Sequence, residues 1–339
     1  MLKITEVEQR SIFFRELTTM VQAGLTIAEA LDGASRGTRH FRLHQSAVDG
    51  AFAARHGKPF SQTMGRFPDV FTPVETAMIR AGEETGRLDS LLGQIAAYLE
   101  TEYSLRQMIS RETFYPKILF GAILAFMLVV PSIIKMVTPG GSVFRGMLLL
   151  AEGVLGVVVG AAVIFAVYII LRHLLISSRE LGAAWDQFKL RIPVFGEAIR
   201  RLALARFSRG LAALFAAGVE MTEAASIAAD LTGNQALRLP MKAAVADVEK
   251  GMPISQAFAK IPAMDDLTLR MLQTGEQTGN IDVMMQRVAE HYEEAALSTV
   301  RRAGQLTVPI AVVIAGIFVF FLMLQAYTGG FSQLDQYTK

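Results

Sequence analysis

Two short runs in the chain set carboxylates between glycines: Gly82-Glu83-Glu84-Thr85-Gly86-Arg87-Leu88-Asp89 and Gly275-Glu276-Gln277-Thr278-Gly279-Asn280-Ile281-Asp282. Acidic side chains on a tight turn suit two kinds of chemistry: they can meet a basic surface on a partner protein, or supply oxygens to a hard cation. Glu83, Glu84 and Asp89 are the candidates in the first run, Glu276 and Asp282 in the second. Calcium takes roughly six to eight oxygen ligands, more than one run offers. A cation there needs a site shared between domains or subunits, and Glu83 and Asp89 are weak metal candidates. The architectural reading is stronger. Gly82, Gly86, Gly275 and Gly279 make sharp turns around Thr85 and Thr278, and the following Asp favours the first turn of a helix through the macrodipole.

Other catalytic constellations are missing. There is no GxxxxGK[ST] phosphate loop, so nucleotide hydrolysis is not expected of this chain, and neither GxSxG nor a metalloprotease motif is present. The sequence has no cysteine, which removes disulfides, thiolate nucleophiles and cysteine metal sites. The histidines are His40, His44, His56, His173 and His291. His40 and His44 share a helix face by spacing, but without HExxH they read as a solvated face. No catalytic residue and no cofactor is called for, and an enzyme is not expected. The formal net charge is +2, and no basic patch interleaved with aromatics points to nucleic acid.

The elements that carry these turns divide between water and lipid. Hydrophobic residues are 52% of the 339, charged residues 19%, and the mean hydropathy is +0.37. That mixture predicts lipid-embedded and water-exposed parts in one chain. The start, Met1-Leu2-Lys3-Ile4-Thr5-Glu6, lacks the apolar run of a cleaved signal peptide. Three stretches are long and apolar enough to cross a bilayer, at 114–137, 147–173 and 305–327. Lys135 and Glu152 lie near one boundary, where long side chains snorkel to the headgroups. Gly156-x-x-x-Gly160 permits close helix packing in lipid.

Basic residues set the orientation. Arg106, Arg111 and Lys117 precede the first span, Arg172, Arg179, Lys189 and Arg191 follow the second, and Arg301 and Arg302 precede the third. The predicted order is a cytoplasmic domain at 1–113, an outer loop at 138–146, a second cytoplasmic domain at 174–304 and an outer tail at 328–339.

The chain is internally repeated. Phe13, Arg15, Leu17, Gly24 and Glu29 correspond to Phe207, Arg209, Leu211, Gly218 and Glu223, each 194 positions on. Gly57-Lys58-Pro59-Phe60-Ser61-Gln62 matches Gly251-Met252-Pro253-Ile254-Ser255-Gln256, and Pro68 matches Pro262, at the same offset. One residue is then lost: the two glycine-glutamate runs, and Pro116 with Pro309, are 193 apart. Each of these prolines opens a span, either as a hinge or as a residue tolerated in a first helical turn.

The periodicity is helical throughout. Phe13, Leu17, Met20 and Val21 form one stripe, and Leu88, Leu91, Leu92, Ile95 and Leu99 another, each with its counterpart. Such stripes are core faces before they are partner grooves. Gly24 and Gly218 fit the C-terminal turn of a helix. Thr26-x-x-Glu29 reads as a capping box that Glu220 does not repeat. Each domain is predicted to be a bundle of about six helices, in an all-α membrane protein with three transmembrane helices.

The paired Gly-Glu-x-Thr-Gly-x-Leu/Ile-Asp motif resembles the type II secretion F domain family. So do the helix ends Ala23-Gly24-Leu25 and Ala217-Gly218-Val219, and Ile192-Pro193-Val194-Phe195-Gly196 followed by Arg206-Phe207. The resemblance covers nearly the whole chain. It implies a polytopic platform protein of the bacterial inner membrane, with the N-terminus cytoplasmic and the C-terminus periplasmic, at the base of a type IV pilus or type II secretion machine. The implied partners are a hexameric assembly ATPase, pilin or pseudopilin subunits, other inner-membrane assembly proteins, membrane lipid and further copies of the chain. The short stretch before the first copy, and a first span without the common Leu-Pro-rich outer end, point to a compact type IVb-like pilus member. A small membrane transporter is the alternative, though mid-membrane ionisable groups or broken helices are its usual mark. A membrane receptor is another, though the outer loop is small for a sensing domain.

Overall fold

The computed structural model describes residues 4–137, 143–177, 179–192 and 195–337. Residues 1–3, residues 138–142 of the predicted outer loop, Ser178, Pro193–Val194 and the last two residues lie outside these. So do the side chains of Lys135, Arg172, His173 and Arg179. Among the described residues every regular element is a helix.

The first copy comprises α1 (Ile4–Gln22), α2 (Ile27–Gly37), α3 (Phe41–Arg55), α4 (Phe60–Met64), α5 (Pro73–Thr85) and α6 (Leu88–Glu112). Two long helices follow, α7 (Phe114–Val137) and α8 (Val143–Ser177), then α9 (Arg179–Arg191). The second copy comprises α10 (Phe195–Ala216), α11 (Met221–Leu231), α12 (Gln235–Glu249), α13 (Ile254–Ala259), α14 (Asp266–Thr278) and α15 (Ile281–Tyr337). α8 begins inside the stretch assigned from sequence to the outer loop, and extends past both ends of the predicted second span.

Helix ends repeat bond for bond. Gly24 (φ +91°) donates to the Val21 carbonyl while Leu25 donates to Met20; Gly218 (φ +82°) donates to Phe215 while Val219 donates to Leu214. A left-handed residue followed by this pair of bonds closes a helix, and glycine meets the conformation without strain. Thr26 and Glu29 form the capping box their spacing predicts, and Glu220 heads α11 without a side-chain cap.

Contacts divide the chain into two compact units, residues 1–109 with 186–298, and 110–185 with 299–339. The two copies therefore share one unit instead of forming two. Their apolar faces meet in a continuous core that includes Phe13, Phe14, Leu17 and Phe60 from the first copy and Phe207, Leu211 and Phe258 from the second.

In the other unit α7 and α8 run side by side. A Cβ on Gly153 would come within 2.9 Å of the Leu128 side chain, Phe126 meets Phe318 edge-on, and Arg301 pairs with Glu112 at 2.8 Å. The stretches Leu88–Ile134 and Ile281–Leu324 are long and apolar enough to cross a membrane, and only 6% of each apolar window is buried inside the fold. Gly146–Gly160 within α8 is apolar but shorter. Unburied apolar runs of this length would be costly in water, unlike the core helix of a soluble protein.

Pro116 lies in the first turn of α7, as its spacing predicts, but Pro309 does not open a helix: it sits inside the 57-residue α15. The two copies differ just upstream. Thr113 hydrogen-bonds the Ser110 carbonyl and α6 stops there, whereas its equivalent Leu306 has no hydroxyl and continues the helix. Pro309 has no N–H to donate one turn back.

The copies solve one core position differently. In the first, Arg10 and Glu75 form a buried ion pair in which one guanidinium nitrogen donates to both carboxylate oxygens, at 2.5 and 2.7 Å, with side chains 4% and 0% exposed, and Glu75 also accepts from the Thr72 N–H. The equivalent residues in the second are Leu204 and Thr268, with Tyr292 in place of Leu99, and Thr268 and Tyr292 share a buried 2.7 Å hydroxyl contact. Removing one member of a buried pair strands the other charge at a cost of about 3–5 kcal/mol. Arg10→Leu should lose about that much stability in denaturant unfolding of the detergent-solubilised protein. Adding Glu75→Thr and Leu99→Tyr, which copies the second solution, should restore most of it.

Candidate functional site

The glycine-glutamate turns are built by opposing demands on their two glycines. Gly86 and Gly279 end α5 and α14 at φ +70° and +73°, the left-handed region. Gly82 and Gly275 instead need the absence of a side chain. A Cβ on Gly82 would meet the Leu88 backbone at 3.2 Å, and one on Gly275 would meet the Ile281 backbone at 2.9 Å. The helix after each turn folds back onto the helix before it. Thr85 and Thr278 bond back to the carbonyls of Ala81 and Thr274.

The acid that both turns share points into the fold, at a specific target. Glu83 accepts the Phe60 N–H in a short bond, the Ser61 N–H at 3.2 Å and the Ser61 hydroxyl at 2.5 Å. Glu276 accepts the Ile254 N–H at 2.8 Å, the Ser255 N–H at 3.3 Å and the Ser255 hydroxyl at 2.5 Å. These groups lie at the start of α4 and α13, where the first amides have no partner within their own helix. Each of those helices has proline at its N-cap, Pro59 or Pro253, and no side-chain cap of its own. Glu83 and Glu276 therefore cap a neighbouring helix more than twenty residues upstream in sequence, with a carboxylate that the helix dipole also favours.

This geometry brings the Gly-x-Pro-x-Ser runs and the Gly-Glu-x-Thr-Gly runs together in both copies. It leaves Glu84 and Asp89 exposed, while Asp282 lines a cleft between the copies. Among the described residues no group of three or more His, Asp or Glu is placed to hold a metal ion. His40 Nδ1 takes the Leu43 N–H and His44 Nδ1 lies against the Ser35 carbonyl, so the two rings serve local backbone.

The surface between the copies carries chemistry that the sequence reading passed over. The clefts there have volumes of about 560 and 540 Å³. Arg209 lines the first and forms a largely buried ion pair with Glu293 of its own copy. Burial pushes the Glu293 carboxyl above its usual range, with Arg209 opposing the shift. Arg206, Arg106 and Glu102 line the second, and burial lowers the Arg206 guanidinium. Arg80 reaches Glu223 across the boundary at 3.1 Å. One signal was legible: Thr72-Pro73-Val74-Glu75 has a capping-box pattern with proline in the first helical position. The partners of the buried charges were not, since they come from remote helices.

With this geometry in place, comparison with known proteins is informative. The family model described as type II secretion system protein F matches twice, at residues 13–134 and 207–329. The matches begin at Phe13 and Phe207, on the 194-residue repeat. The chain belongs to the type II secretion system protein F family. It is 30% identical over 319 residues to the type IV pilus assembly protein PilC of Thermus thermophilus, covering 91% of this chain and 78% of that one. It is 27% identical over 325 residues to the type II secretion system protein F of Vibrio cholerae, covering 92% and 80%. It is 26% identical over 334 residues to PilC of Pseudomonas aeruginosa, covering 94% and 87%.

The capping role can be tested alone. Glu83→Ala strands two amides and a hydroxyl and should cost about 2–3 kcal/mol. Glu83→Gln, which keeps one acceptor oxygen, should cost less. Amide exchange at Phe60 and Ser61 should accelerate in both variants, more in the first, while exchange at Ile254 and Ser255 stays unchanged.

Proposed function

We propose that this protein is a platform of the bacterial inner membrane that couples a cytoplasmic assembly ATPase to polymerisation of pilin or pseudopilin subunits. The observation that carries this reading is the double family match, in which each matched copy runs on into a long apolar helix. Relatives named for type IV pilus assembly and for type II secretion support the class of machine equally. The chain carries no phosphate-loop motif, so the energy comes from a partner.

In this reading α7, α8 and the apolar part of α15 are three spans, near 114–137, 147–173 and 305–327. The flanking basic residues favour the two copies in the cytoplasm and the tail outside. The ATPase changes shape beneath the membrane, the helical copies receive that displacement, and the spans carry it to the depth at which a subunit helix leaves the bilayer. The exposed face of the first turn, Glu84 and Asp89, is the acidic surface offered to the ATPase. Pro116 and Pro309 are sites where helices can bend.

The test is affinity capture of tagged protein from native membranes in mild detergent after crosslinking, with copurifying proteins identified by mass spectrometry. An ATPase of the assembly class and pilin-like subunits should be recovered. Glu84→Arg with Asp89→Arg should reduce ATPase recovery about tenfold, with pilin recovery retained. Absence of both partner classes from the wild-type capture would remove the platform reading.

A further inference from the structure

The cleft of about 540 Å³ between the copies has a use that neither the capping clasps nor the platform reading absorbs. The first copy lines it with Arg10 of α1 and with Tyr98, Glu102 and Arg106 of α6. The second lines it with Ile199, Leu202 and Arg206 of α10 and with the turn from Asp230 to Asn234. Asp186 and Lys189 of α9 complete the polar lining. Gly233 in that turn is exposed, so the cleft reaches solvent.

Its charges do not cancel. Arg106 holds Glu102 at 2.7 Å, and Lys189 holds Asp186 at 2.9 Å. Asp230 is met by two cations from outside the lining, Arg238 and Lys242. Arg10 is paired with the buried Glu75. Arg206 is left over: among the described residues it has neither an ion pair nor a hydrogen bond, in surroundings that disfavour its charge. The Nε atoms of Arg10 and Arg206 are both buried without an acceptor. A buried cation without a counter-ion is costly, and an orphaned buried donor calls for a partner. The shared bundle does not require this arrangement. Arg10 and Arg206 correspond to Leu204 and Ile12 in the opposite copies, and Glu102 and Arg106 to Ala295 and Thr299.

We propose that this cleft binds the phosphate group of a small organic molecule, with Arg206 as its main contact and Arg10 Nε as a second donor. Guanidinium groups hold phosphate oxygens through charge-assisted hydrogen bonds. A phosphomonoester carries about −1.5 to −2 charges near pH 7, enough to meet the cationic excess. The volume lies within the roughly 300–1,000 Å³ of small-molecule pockets and exceeds what a bare ion fills. Leu99, Ile199, Leu202 and Leu231 supply apolar wall, and Tyr98 a ring, for the organic part. The start of α12 is not the recognising element: Asp186 takes the Gln235 N–H and the Asn234 side chain takes the Ala236 N–H. Because both copies line the cleft, the bound molecule ties one to the other.

The test uses the full-length protein in phosphatidylcholine nanodiscs, with AMP as the probe, adenosine as the uncharged control and inorganic phosphate as the bare anion. Calorimetry should show saturable AMP binding, and AMP should raise the melting temperature. Inorganic phosphate should compete with it more weakly, and adenosine should not bind. Arg206→Met should weaken AMP about tenfold or more, and Arg206→Lys less. Without ligand, Arg206→Met should melt no lower than the wild type, because it removes a buried unpaired charge. Nanodiscs containing phosphatidylglycerol identify the source of the phosphate. AMP binding that they block in the wild type assigns it to a lipid headgroup, and AMP binding that they leave intact assigns it to a soluble molecule. If neither AMP nor inorganic phosphate binds at millimolar concentration, the proposal is overturned. The same holds if Arg206→Met binds AMP like the wild type, or if it melts lower while the wild type binds nothing, which makes Arg206 a packing residue solvated by water. The readout needs no ATPase or pilin, so its failure is separate from that of the platform reading.

Discussion

A helix that starts at proline cannot cap itself, and the folding of each copy depends on how that deficit is met. Pro59 and Pro253 provide neither a capping side chain nor a backbone donor, so the amides at the start of α4 and α13 need an acceptor from elsewhere. Glu83 and Glu276 provide it. Their positions are then fixed by the turns they occupy: α5 or α14 must end within a turn of the acid, and the next helix must fold straight back. Gly82 and Gly275 allow that close return, and Gly86 and Gly279 allow the reversal of the chain. A run that reads as a cluster of acids for a partner is first a clasp between the short helix and the hairpin of α5 and α6.

Much of this order was legible in the sequence because duplication marks what cannot vary. The repeat, the helical stripes and the left-handed glycines at 24 and 218 follow from residue type and spacing alone. The role of Glu83 did not, because its partners are backbone amides, which leave no signature in residue identities. The only trace is that the two runs are duplicated together. Pro309 misled for the opposite reason: its equivalence to Pro116 is real, but α6 ends at Glu112 ahead of Pro116, whereas α15 runs on through Pro309. The Arg10–Glu75 pair was hidden because each member looks like an ordinary surface charge until α1 and α5 are brought together.

The same duplication shows which constraints are local to one copy. The Glu83 and Glu276 clasps and the C-terminal ends of α1 and α10 match between the copies, whereas the Thr26–Glu29 box has no second counterpart. The core position shared by Glu75 and Thr268 is filled by an ion pair in one copy and by a hydroxyl contact in the other. Either gives the buried carboxylate or hydroxyl a partner, so the members of each solution must change together.

Surfaces diverge by a further rule. Arg15 and Arg209 occupy one position in the fold, yet one faces solvent and the other lies in a cleft between copies with Glu293. Glu293 keeps Arg209 paired in an environment that disfavours charge, and it does so at the expense of its own carboxyl. That pair holds α10 to α15 within the second copy, and removing either member would leave a largely buried charge unmatched. Between the copies the charge contacts are of another kind: the half-exposed pair of Arg80 with Glu223, and Arg206 beside Glu102 in the second cleft.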